Sequence, residues 1–123
     1  MDKLITNNPM AAERFAKLYD IQYNCLYADE ILKIIRNYVH LGHKLLTHPL
    51  ASSIPSGHTP YKTVLISGGP LVSSVDYESL KLIEAAIAAY AKEGGVLPLP
   101  DKINEVYSSY MLVDCEMLAK GIS

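Results

Sequence analysis

Short β-rich runs alternate with segments of helical period along this chain, and that alternation limits its folds more than any motif does. Lys3-Leu4-Ile5-Thr6 reads as a strand that stops at Asn7-Asn8-Pro9. Asn8 is a natural N-cap, and Pro9 suits the first helical position, where its missing N–H has no intrahelical partner. A helix is expected through Phe15, Leu18 and Tyr19. Ile21 to Tyr27 alternates with period two, and its polar Gln22 and Asn24 suggest an edge strand with one wet face. Asp29 opens a helix with the stripe Ile31, Ile34, Ile35, Tyr38 and Val39, closed by Gly42 as a left-handed cap.

His43 to Thr47 reads as a third strand, and His48 to Pro60 as a loop rich in Pro, Ser and Thr. Tyr61 to Ser67, centred on Val64-Leu65-Ile66, is the best strand. Asp76 caps a long helix that stops at Gly94-Gly95. After Pro98-Leu99-Pro100, Asp101 caps a last helix with apolar positions Ile103, Val106, Tyr110, Val113 and Met117. The expectation is one α/β domain over residues 1–123: a small three-layer sandwich with about four helices on a four-stranded, mostly parallel sheet whose last strand returns antiparallel.

Composition narrows the function classes. A net charge of −2 over 123 residues, with no like-charge block, argues against an electrostatic nucleic-acid binder. No apolar run reaches the roughly 18 residues of a membrane helix, and no secretory signal pattern opens the chain, so a cytoplasmic protein is expected. Cys25 and Cys115 are far apart and form no metal spacing with His40, His43, His48 and His58. No metal is expected, and both thiols are read as buried or half-buried. Ser67-Gly68-Gly69-Pro70 matches neither a dinucleotide nor a P-loop fingerprint, and no GxSxG elbow or CxxC pair occurs. No cofactor is expected. Thr6-Asn7-Asn8 at the first strand end excludes an acidic phospho-receiver site.

Strands joined by helical crossovers run parallel, and open α/β sheets bind ligands at the carboxyl edge. The candidate site is therefore Asn7 and Asn8, at a helix N-terminus that favours an anion, facing Thr47 and His48. The long loop walls it and adds Ser52 and Ser53. An antiparallel return of the next strand brings Thr59, Tyr61 and Lys62 to the same edge; a parallel return brings Ser67-Gly68-Gly69 instead and removes Lys62. His48 is the candidate proton-transfer group. The tyrosines suit element faces and leave room for a homodimer through the last helix.

The segments 4–9, 42–50 (Gly-His-Lys-Leu-Leu-Thr-His-Pro-Leu) and 59–62 (Thr-Pro-Tyr-Lys) resemble those of the GrdX family, small proteins encoded among the genes for glycine, sarcosine and betaine reductase of anaerobic bacteria. The resemblance implies an accessory role beside a selenium-dependent reductase, with reductase components as partners and no assigned activity. Without a CxxC pair, the chain does not look able to carry the reductive chemistry itself. Two main readings follow. One is a non-catalytic binding protein with a polar small-anion pocket. The other is a small enzyme acting on a phosphorylated or carboxylated metabolite through His48. A third is a structural partner protein that uses its tyrosine-bearing helices.

Overall fold

The computed structural model describes residues 1–50, 59–93 and 105–122. The elements run β1 (Lys3–Thr6), α1 (Pro9–Arg14), β2 (Asp20–Tyr23), α2 (Ala28–His40), β3 (Thr63–Ile66), α3 (Tyr77–Glu93) and α4 (Glu105–Ile122). Among the described residues the sheet has three strands in the order β2-β1-β3. β1 pairs parallel with β2 and antiparallel with β3, with Thr6 opposite Thr63 and Leu4 opposite Leu65.

Period two assigns the two faces of the sheet. Ile5, Val64 and Ile66 turn to α2 and α3, where they pack with Ile31, Leu32, Ile35, Val39, Ile83 and Ala86. Leu4 and Leu65 turn the other way, toward Ala11 and Phe15 and toward Cys115 and Leu118 of α4. Helices therefore cover both faces, as a three-layer arrangement requires. Each fully buried aliphatic side chain contributes roughly 1.5–3 kcal/mol by leaving water. Thr6 and Thr63 share the parity of Leu4 and Leu65, so they sit at the end of the α4 face.

The expected four-stranded, mostly parallel sheet is corrected here. Residues 43–47 form no strand; the segment meets the end of β3 through one bridge, Leu45 to Ile66, with main-chain bonds from the Leu46 and Thr47 amides to Leu65 O and from the Ser67 amide to Lys44 O. Side chains take other amides that a longer ladder would use. The Leu45 amide donates to Ser79 Oγ, the Lys44 amide to Ser67 Oγ, and the Leu65 amide to Thr47 Oγ1. The bridge is antiparallel, so the segment still points the way β1 points, and Thr47 reaches the edge where Thr6 ends. The antiparallel return of β3 places Lys62 at that edge and Ser67-Gly68-Gly69 at the far end, where the Gly68 amide meets Asp2.

Other boundaries shift for local reasons. α1 stops at Arg14, because the apolar repeat fails at Leu18, which is 61% exposed. α2 begins one residue before Asp29, and the Glu30 carboxylate accepts from the Tyr27 amide at 3.2 Å. Gly42 takes φ +100 as expected, and a Cβ there would meet Val72 O at 2.4 Å. Asp76 caps α3 through Ser79. Cys25 is exposed rather than buried or half-buried. Among the described α4 side chains, Cys115 and Leu118 are buried and Tyr110, Val113 and Met117 half-buried, so the buried face is offset from the one expected. Gly94, Asp101 and Ile103 lie outside the described residues.

Ile35 is fully buried between the sheet and α3. Ile35→Ala is expected to lower unfolding free energy by about 2–5 kcal/mol, read from urea denaturation by circular dichroism.

Candidate functional site

β1 ends on an amide whose hydrogen-bonding capacity goes to main chain. Asn7 Oδ1 accepts from the Lys62 amide at 2.8 Å, and Nδ2 donates to Pro60 O at 2.8 Å and Leu26 O at 2.9 Å. The Asn7 main-chain N–H donates to Lys62 O at 3.3 Å. This side chain ties the chain leaving β2 to the chain entering β3 and has no donor to spare for a ligand.

Asn8 is the N-cap of α1: Oδ1 accepts from the Met10 amide at 3.0 Å. Its Nδ2 points at α4, donating to Asp114 Oδ2 at 2.9 Å and Met111 O at 3.0 Å. α1 is six residues long and its first turn is served by Asn8, so it does not form the anion site expected at its N-terminus.

The remaining expected residues divide. Thr47, Thr59, Tyr61 and Lys62 are all buried; Asn7 bonds the main chain of Pro60 and Lys62, while Thr47 lies beside Leu65 of β3. Thr47 Oγ1 and Thr59 Oγ1 accept from the Leu65 and Tyr61 amides. His48 is exposed, and its Nδ1 accepts from the Leu50 amide at 3.0 Å, a turn contact. Ser52 and Ser53 lie outside the described residues.

Lys62 is the unusual member. It is 6% exposed, its Nζ donates to Pro49 O at 2.6 Å, and the same atom lies 5.4 Å from the Tyr90 ring centroid. Burial pushes its amine below the ordinary 10.5, while the charge of Asp114 pulls the other way. Among the described residues no carboxylate lies within ion-pairing distance of it.

Asp114 closes the arrangement from α4. Its Oδ2 accepts from Thr63 Oγ1, which lies 2.6 Å from Thr6 Oγ1; Thr6 Oγ1 in turn accepts from the Asn8 amide at 2.9 Å. With the carboxylate accepting, donation runs from Thr6 to Thr63 to Asp114. Desolvation pushes the Asp114 carboxyl above its usual range, against the pull of Thr63, Asn8 and Lys62. Burial, then the charges of Asp114 and Asp29, push the Tyr90 hydroxyl up, and it has no hydrogen-bond partner among the described residues. Burial and Asp114 raise the Cys115 thiol to about 11, an inert thiol at neutral pH.

An antiparallel return is the condition for Lys62 to stand at this edge, and β3 returns so; sequence reasoning does not single out Asp114 or Thr63 and reads Tyr90 only as a core or interface tyrosine. Asp114 carried a legible signal: it is the one acid in the otherwise apolar run 111–115, Met-Leu-Val-Asp-Cys. No group of three or more His, Cys, Asp or Glu suited to a metal occurs among the described residues. Among the same residues, no helix is long and apolar enough to cross a membrane.

The family model of the GrdX-like proteins matches residues 3–123, and the chain belongs to that family. No curated protein and no solved structure matches it.

Asn7→Ala leaves the Lys62 amide and the Pro60 and Leu26 carbonyls without their partner, at about 1–3 kcal/mol for each group that stays dry. A loss of several kcal/mol in urea denaturation is expected, with Asn7→Asp failing to restore it because the two donors are gone. Asp114 also sets a pH dependence. Its folded value lies above the ordinary 3.8, so the folded state holds the proton longer than the unfolded chain. Its contribution to stability is greatest below that ordinary value and is lost as pH rises through the raised one. Unfolding free energies of wild type and Asp114→Asn, compared across that window, are expected to show the wild type losing ground as pH rises.

Proposed function

We propose that this chain is a non-catalytic binding protein that holds a small anion, such as a carboxylate, phosphate or sulfate, at the edge where Lys62 lies. The observation that supports it is a lysine buried to 6% exposure with no carboxylate among the described residues close enough to pair with it. A desolvated ammonium is costly without a counter-charge, and a bound anion supplies one together with charge-assisted hydrogen bonds. Pro49 O takes one of its three N–H groups, which leaves donors for a ligand. In this reading Asn7, Asn8 and Thr47 shape the edge rather than touch the ligand, and Thr59 and Tyr61 wall it.

Membership of the GrdX-like family supports the accessory role, beside a glycine or betaine reductase in anaerobic amino-acid metabolism of the cytoplasm. The enzyme reading through His48 has less behind it, because the exposed ring is engaged in a turn and stands in water.

Isothermal titration with acetate, inorganic phosphate and sulfate tests the proposal. At least one should bind, and Lys62→Met should weaken it by about tenfold or more, with the helical circular dichroism signal retained. Absence of binding by all three, or equal affinity in Lys62→Met, overturns it.

A further inference from the structure

The edge carries a second charge that an anion alone leaves unanswered. Lys62 has the parity of Val64 and Ile66, so it leaves the sheet on the α3 side, where Nζ meets Tyr90. Asp114 comes from α4 on the opposite face and is fastened there by Thr63 and Asn8. The end of the sheet lies between them. Each is anchored to its own layer, Lys62 by Pro49 O and Asp114 by two donors on Oδ2, so the pair does not close into a salt bridge. Both of those donors go to Oδ2, and Asp114 Oδ1 receives no hydrogen bond among the described residues. Tyr90 lines the Lys62 side: its ring lies 5.4 Å from Nζ, and its hydroxyl is buried without a hydrogen-bond partner among the described residues.

Opposite charges held apart in a desolvated setting select among ligands by charge pattern. A plain carboxylate satisfies Lys62 but is repelled by Asp114. A plain amine satisfies Asp114 but is repelled by Lys62. A neutral molecule answers neither. A molecule with one charge of each sign answers both and leaves the site neutral.

We infer that this edge binds a small zwitterion, its carboxylate against Lys62 Nζ, its ammonium group against Asp114 Oδ1, and its connecting carbons against the Tyr90 ring. The inference rests on the binding reading above and names its ligand class; it adds Asp114 and Tyr90 as ligand contacts.

Isothermal titration of the full chain with acetate, methylammonium and the unbranched amino acids having one, two or three methylenes between their charges tests it. At least one amino acid should bind about tenfold more tightly than either singly charged probe, and the best length reports the span between the two side chains. Asp114→Asn keeps the size of the side chain and an acceptor. It should bring the best amino acid down to the level of acetate while leaving acetate as tight as before or tighter. Lys62→Met should abolish that selectivity.

Acetate binding as tightly as every amino acid overturns the inference and leaves the anion reading standing. Methylammonium binding as tightly as every amino acid overturns it too, and if acetate then fails to bind, the acetate arm of the anion reading falls with it. Absence of binding by every probe overturns the inference. The wild-type ranking decides between these outcomes by itself, even where a variant misfolds.

Discussion

Asn7 is one amide with two donors and an acceptor, all spent on main-chain groups from two separate stretches of chain. The β1–β3 ladder ends at Thr6 and Thr63, and beyond it Asn7 extends the pairing by side chain as well as backbone. It thereby sets the path of Pro60, Tyr61 and Lys62 before they enter β3, and so decides where the buried ammonium stands. An ordinary loop entry would leave those carbonyls and amides to water. Here Asn7, Thr59, Tyr61 and Lys62 are all buried, and the geometry of the edge follows from satisfying main chain in a dry place.

The two sides of the site come from strand parity. On β1 and β3 the α4 face takes Leu4, Thr6, Thr63 and Leu65, two apolar and two hydroxyl residues in register. The apolar pair packs on Cys115 and Leu118, and the hydroxyl pair meets Asp114 one helical step away. A one-residue slip in either strand would turn its threonine toward α2 and α3 and strand Asp114 among apolar groups. The threonine relay therefore locks register as well as serving the carboxylate.

Chain direction was legible in the residues because crossover helices and the Pro-rich return leave few choices, and Thr6 and Asn7 do meet Pro60, Lys62 and Thr63 at one end of the sheet. The roles within that edge were harder to read. Asn7 looked like a donor to a ligand because its own partners are distant in sequence, at Leu26, Pro60 and Lys62. His48 looked central because imidazole is versatile, yet nearby Leu50 engages it in a turn. Residues 43–47 have the apolar character of a strand, but strand propensity says nothing of hydroxyls arriving from Ser67 and Ser79 to take the amides. Asp114 is invisible to periodicity because period arguments sort apolar from polar positions. A buried acid on a helix face is an exception that only its partners explain.

For stability alone, this edge is poorly arranged. Replacing a buried lysine and aspartate that do not touch each other by apolar residues of similar volume is often neutral or stabilising. The anchoring groups around them, Pro49 O on one side and Thr63 with Asn8 on the other, work against the contact that would recover the cost of desolvation. Tyr90 adds a hydroxyl buried without a partner among the described residues. One polar group short of partners is ordinary strain. A buried ammonium, a desolvated carboxylate and an unpartnered hydroxyl from three elements, at one end of the sheet and all with shifted proton affinities, are the pattern by which a fold keeps a place for something else. What fits that place must bring its own complement of both charges, and the sheet end that keeps Lys62 and Asp114 apart sets how far apart those charges must be.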